Sequence, residues 1–497
     1  MRTVSIVKTG LGSGAAILFA GFLAAAPARA STVASVPCSS AALIAAINAA
    51  NTAGGGVINL APRCHYRLTT PVPNGTGDGL PPVTTRIAVN GNGATIDGTG
   101  AVRVFEVDGP GGNLSLNNVR ITGGSADIGG GIENAGGTVT LTFSTVTGNT
   151  ATQAGGGIAS ATLDPSSVAK LTVNFSRVTG NTQSLTPTPG GGGGGGGGGI
   201  VNILGKVTVN YSQVSGNTAM GLVGGGIASG DYNMTGATTS FLTVNNSLVT
   251  GNTAPNAGGG GIQNLLGTAT VNSSLVNGNT ALNGGGISSG PGNGGVPPPP
   301  GTSHLTVNNS QVNGNTALAP VPIPQSGTMV GPPIAAGGIA NGGVAVVNNT
   351  QVNNNTARYT DGGGIVNHGT MTLNNCQVNG NTAAGSGVIA SGGGIISAQG
   401  EPGSAPTTLT LINTLVAGNR AGGVGGGIAN GVPIPNAPMP LFGGTLKLVN
   451  SLVIGNTAAA GGGIFNNKGT VTLVNALIIV NHPDNCEPTG TITGCKN

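Results

Sequence analysis

A chain of 497 residues with 97 glycines, 6% charged and 2% aromatic side chains does not have the composition of several ordinary globular domains. Its 38% apolar residues are too many for a disordered chain and enough to fill a narrow, repeated core. The formal charge of +4 falls to +1 once residues 1–30 are set aside, 13 basic against 12 acidic side chains, which leaves no global attraction to nucleic acid or anionic lipid.

Residues 1–30 combine a basic start (Arg2, Lys8), an apolar middle from Leu11 to Ala26 and the small-residue ending Ala28-Arg29-Ala30, the pattern of a secretory signal peptide cleaved before Ser31. Export implies an oxidising compartment, in which cysteines pair. Cys38 and Cys64 bracket the N-terminal segment and Cys486 and Cys495 the C-terminal tail, so two local disulfides are expected, with Cys376 left as a buried thiol. No Cys-x-x-Cys pair or histidine cluster offers a metal ligand set, and neither a metal nor a cofactor is expected. Ser39 to Asn51 carries a serine start signal and an alanine-rich apolar pattern, which predicts one helix capping the end of whatever follows. Thr85 to Gly124 reads as one or two irregular turns of the array that follows.

From Gly129 one sentence is written eleven times: Gly-Gly-Gly-Ile, a variable stretch, apolar-Thr-apolar-Asn-x-Ser, then x-Val-x-Gly-Asn-Thr. The isoleucine stands at Ile132, Ile158, Ile200, Ile227, Ile262, Ile287, Ile339, Ile365, Ile395, Ile428 and Ile464. A second aliphatic column runs from Val146 through Val178, Val214 and Val249 to Ile478. Alternation such as Leu171/Val173 and Leu305/Val307 has period two, so the phrases are strands. Three short strands per repeat cannot bury an apolar face alone; stacked as turns about 4.8 Å apart they form three parallel sheets around aliphatic columns. The fold class is therefore all-β, a single-stranded right-handed parallel β-helix of about 11 to 13 turns with an N-terminal capping helix. Its segments are 1–30 (signal peptide), 31–128 (cap and first irregular turns), 129–481 (repetitive coil) and 482–497 (stapled tail).

Asn149, Asn181, Asn217, Asn252, Asn279, Asn315, Asn355, Asn381, Asn419, Asn456 and Asn481 fill one turn position, and their amides are expected to hydrogen-bond up and down as a ladder. A second row, Asn309, Asn349, Asn375, Asn413, Asn450 and Asn475, has Phe143, Phe175 and Tyr211 in its place in earlier turns, an expected aromatic stack. Insertions at 186–199, 291–301, 319–336 and 432–443, rich in Pro and Gly, read as loops leaving the coil.

These residues resemble the repeat proteins of the pectate-lyase-like superfamily. The pairing of Gly129–Ile132 with Val146–Asn149 is most similar to repeats of the polymorphic outer membrane protein type, whose members are surface adhesins joined to a C-terminal barrel. Here a short cysteine-bearing tail stands in the barrel's place. Sugar-cleaving enzymes on this fold need clustered carboxylates with a basic residue beside them. Glu133, Asp164, Asp231, Asp361 and Glu401 lie far apart in sequence, and Asn367-His368-Gly369 lacks companion Asp pairs, so His368 reads as a solvated loop-edge residue. The group Asp97, Glu106 and Asp108 with Arg103 and Arg120 is the one charged cluster, read as a solvated face. The expectation is thus a non-catalytic adhesion, surface-binding or scaffold protein outside the cell or on its surface, with a glycan or protein ligand and no nucleic acid. The alternative is a polysaccharide lyase or hydrolase.

Overall fold

The computed structural model describes residues 32–497 apart from 74–76, 163, 165, 185–195, 222, 232–239, 291–302, 319–334, 386–389, 400–405 and 434–441. The signal-peptide segment and most of the inserted loops lie outside the described residues.

The chain winds as a right-handed parallel β-helix. Its strands form three sheets of 27, 10 and 13 members, here called the first, second and third, and neighbours within a strand column are one turn apart. The first sheet is built differently from the three-strand expectation. In the early turns one long strand, Arg86–Asp97 or Asn113–Thr122, runs its full width. Later turns break it in two, as in Lys170–Asn174 and Arg177–Thr179, so each turn carries four short strands on three sheets.

The break falls at a left-handed residue. Asn92, Asn118, Phe143, Phe175, Tyr211, Asn246, Ser273 and Asn309 all have φ between 48° and 52° except Ser273 at 47°. Asparagine enters that region cheaply, whereas aromatic side chains do so at a cost. A second left-handed residue precedes each ladder asparagine. It is Gly in most turns, such as Gly278 (φ 62°), but Asn354 (55°) and Val480 (56°) hold the place twice.

Inward positions fill with Ile, Leu and Val: Ile158, Leu171, Val173 and Val178 in one turn are all buried, as are their counterparts in the next. The columns pass 128/129 unbroken, with Phe105 in register with Ile132 and Ile121 with Val146. Helix Ser40–Ala53 closes the N-terminal end by burying Leu43, Ile47 and Ala50. Gly54 ends it in the left-handed conformation (φ 81°), while the Ser39 hydroxyl makes no cap bond. Disulfides join Cys38 to Cys64 and Cys486 to Cys495, and Cys376 is a buried free thiol. No helix among the described residues is long and apolar enough to cross a membrane.

Candidate functional site

Three polar ladders line the interior of the coil, and none offers chemistry to a ligand. In the asparagine ladder, Asn279 Nδ2 donates to Asn315 Oδ1 (3.0 Å) and Asn315 Nδ2 to Asn355 Oδ1 (3.0 Å); the chain of amides continues to Asn481, which donates to Asn485 of the tail. Beside it, backbone N–H groups donate to hydroxyls one turn on, as Ser176 N to Ser212 Oγ (3.0 Å). Cys376 sits in that row, its Sγ 3.3 Å from the Val347 carbonyl, and burial pushes its thiol pKa up, which keeps it protonated and unreactive. The third ladder alternates Asn and Ser on the third sheet: Asn134 donates to Ser160, Asn202 to Ser229 and Asn264 to Ser289. Sequence inspection passed over this row because its members stand in the strand after the isoleucine, where apolar residues draw the eye.

Charge chemistry gathers at the N-terminal end of the third sheet. Strand Phe105–Asp108 pairs in parallel with Ile132–Ala135, Phe105 opposite Ile132 and Glu106 opposite Glu133. Phe105, Val107 and Ile132 are buried inside the coil, so the strand period of two turns both glutamates outward, one turn apart. Arg103, just upstream, bridges them. Its Nη1 is 2.6 Å from Asp78 Oδ1 and 3.5 Å from Glu106 Oε2, its Nη2 is 2.5 Å from Glu133 Oε2, and its Nε donates to the Ile128 carbonyl. The Asp78 side chain is fully buried and that of Arg103 nearly so, whereas 17% of Glu106 and 14% of Glu133 reach solvent.

Three carboxyl groups around one guanidinium cannot all ionise without a net buried charge. Glu106 is where the proton stays. Burial raises its pKa to about 7, a hydrogen bond to Asp78 and that residue's charge add to the rise, and Arg103 only partly opposes it. Burial also lifts Glu133, against the pull of Arg103. The result is a carboxylic acid that titrates at neutral pH, a second carboxyl one strand away, and a fixed cation between them.

This arrangement corrects the expected cluster. Asp97 and Arg120 stand on the first sheet, with Asp97 held 2.9 Å from His65. Asp108 is exposed and acts on Glu133 only through space. In their place stand Asp78, which no motif marked, and Glu133, which only looked isolated. One signal was available: Phe105-Glu106-Val107 fits the column of Ile132-Glu133-Asn134, so the array begins one turn earlier than its glycine phrase. His368 is not a solvated edge residue either; it is half-buried, its Nδ1 lies 2.9 Å from the Ala398 carbonyl, and burial lowers its pKa.

No protein-family model matches the chain, and no curated protein matches it significantly. Among solved structures it is similar to the A-module of Azotobacter vinelandii mannuronan C-5 epimerase AlgE4, with a TM-score of 0.43 and 12% identity, covering 88% of this chain and 95% of that one. It is also similar to the A-module of the epimerase AlgE6 from the same organism, with a TM-score of 0.34, 13% identity and coverage of 88% and 94%. The expectation of a chain without catalysis is overturned by that finding, because both solved chains are modules of enzymes on the same parallel β-helix. Its physical weakness was the reliance on known motifs, which cannot show carboxyl groups that meet only when turns stack.

Proposed function

We propose that this chain is a polysaccharide-active enzyme, a lyase or hydrolase acting outside the cell, with Glu106 as general acid and Glu133 as its carboxylate partner. The observation that carries the reading is the Glu106 carboxyl, which keeps its proton up to about pH 7 while its tip reaches solvent one strand from Glu133. An acid of that pKa can protonate a leaving oxygen at neutral pH, and a neighbouring carboxylate can take a proton or face an electron-poor sugar carbon. Arg103 holds both groups and supplies positive charge to an anion forming between them. A polymeric, hydroxyl-rich substrate suits an elongated coil whose flank repeats hydrogen-bonding Thr and Asn at strand spacing, and the two disulfides suit an extracellular setting.

The test is incubation of the purified chain with polygalacturonate, mannuronan and a neutral β-glucan, following unsaturated ends, reducing ends and sugar stereochemistry. Turnover of one polymer is expected, falling on the alkaline side near pH 7, with Glu106→Gln and Glu133→Gln lowering kcat by about 10²-fold or more. Turnover that survives Glu106→Gln, or no turnover of any polymer, would remove this assignment.

A further inference from the structure

The outer face of the first sheet, on a different side of the coil, changes character along its length. Outward positions align strictly from turn to turn, so the face reads as columns running along the axis. One column is His65, Thr95, Arg120, Thr145, Arg177 and Gln213, with a cationic type at every second turn. Two turns are about 10 Å at strand spacing. A second column, on the other side of the bend, sets Lys170 directly opposite Lys206. Arg120, Arg177, Lys170 and Lys206 are all exposed, and none has an ion pair among the described residues. Like charges in register repel, so the lysine pair is uncompensated within the chain. In the outward rows of these turns the one acid is Asp97, already occupied by His65.

Between the two cationic columns runs the aromatic row. Phe143 stacks on Phe175 with ring centroids 5.3 Å apart, and Phe175 on Tyr211 at 5.2 Å. The rings are 62%, 52% and 57% exposed and stand at φ 50°, 48° and 49°, a backbone conformation that asparagine fills in most later turns. Stacking covers ring faces and leaves their rims outward, which makes a narrow apolar floor with positive C–H edges rather than a single stacking platform.

We propose that this face is a binding track for an anionic polysaccharide strand lying along the coil axis, its carboxylates meeting Arg120, Arg177, Lys170 and Lys206 and its sugar C–H surfaces lying on the Phe143, Phe175 and Tyr211 rims. Charge density selects the polymer. Duplex DNA presents a charge about every 1.7 Å of axis, far denser than cations about 10 Å apart. A ribbon of acidic sugars, with carboxylates alternating between its two edges, presents them sparsely to either column. The track deepens the polysaccharide reading by giving the polymer its charge, but it rests on other residues and is read by binding alone.

The experiment measures affinity of the full chain bearing Glu106→Gln for polygalacturonate by calorimetry over a range of salt, so that turnover plays no part. Tight binding that weakens with salt is expected, with a K170A/R177A/K206A variant weakened roughly tenfold or more and a shallower salt dependence. A second variant, F175N, keeps an asparagine at the left-handed position and should also lose affinity, while K447Q/K468Q at the far end should not. Unchanged affinity in the K170A/R177A/K206A variant with its melting curve intact overturns the proposal. So does equal binding of neutral dextran, or of a single-stranded oligonucleotide. Loss of turnover with binding intact would instead count against the Glu106 assignment only.

Discussion

Asn315 shows how much one side chain carries in a coil of this kind. Its Oδ1 accepts from both the backbone N–H and the Nδ2 of Asn279, and its Nδ2 donates to the Val276 carbonyl and to Asn355 Oδ1, all out of reach of water. Asn315→Ala strands the Asn279 donors and removes one amide from the Asn355 acceptor. At about 1–3 kcal/mol for each buried group left unsatisfied, the expected loss is about 3 kcal/mol, seen as a lower denaturant midpoint. An unchanged midpoint would mean that the ladder bonds merely replace equivalent bonds to water. Asp361 carries a different burden. It is buried, accepts from the Ser391 N–H at 2.6 Å, and burial raises its pKa from 3.8 to about 7. The folded chain therefore holds this proton more tightly than the unfolded chain, so its contribution is fully present below about pH 4 and is lost as pH rises through about 7. Asp361→Asn keeps the acceptor and removes the titration. The variant should gain on the parent by up to roughly 1.4 kcal/mol per pH unit across that window, and a difference independent of pH would refute the assignment.

At the scale of elements, legibility in the sequence tracks periodicity. The isoleucine, valine and asparagine columns repeat in nearly every turn, and period-two alternation sorts inside from outside, so the coil, its columns and the Phe143–Tyr211 row are all readable without coordinates. The four-strand turn is not readable. Whether a bend interrupts a strand depends on one residue's φ, and Asn118 at 52° sits within an unbroken strand while Phe143 at 50° ends one. The Asp78–Arg103–Glu106–Glu133 cluster was hidden for another reason. Its members occur once each, and only the register of the first irregular turns, which lack the glycine phrase, places Glu106 over Glu133 and brings Asp78 under Arg103. Repetition reveals scaffold, while a site that occurs once must be found by geometry.

For the whole molecule, the consequence of stacking is that stability is shared between neighbours and not anchored in one place. The turn from Ile262 to Gly286 has no long insertion, and its ends lie where the next turn begins: Ile262 pairs with Ile227 on one side and Ile287 on the other. Removing residues 262–286 brings Ile287 onto Ile227, His304 onto Phe241 and Asn315 onto Asn252, each in the register its column already uses. The truncated chain loses the burial of Ala269, Val271, Val276 and their neighbours but is also spared the entropy of ordering 25 residues, so the two changes offset. Deleting Ser273 alone is a smaller cut with a larger effect. It shortens the bend between Val271 and Val276 by one residue and, with period two, turns Leu275 toward the core and Val276 toward solvent. The whole-turn deletion should therefore unfold in a single cooperative transition within a few degrees of the parent, and the one-residue deletion should melt well below both. Calorimetry on the three chains decides the matter: a parent-like melt for the Ser273 deletion, or loss of the transition on removal of the whole turn, would show that stability does not follow column register.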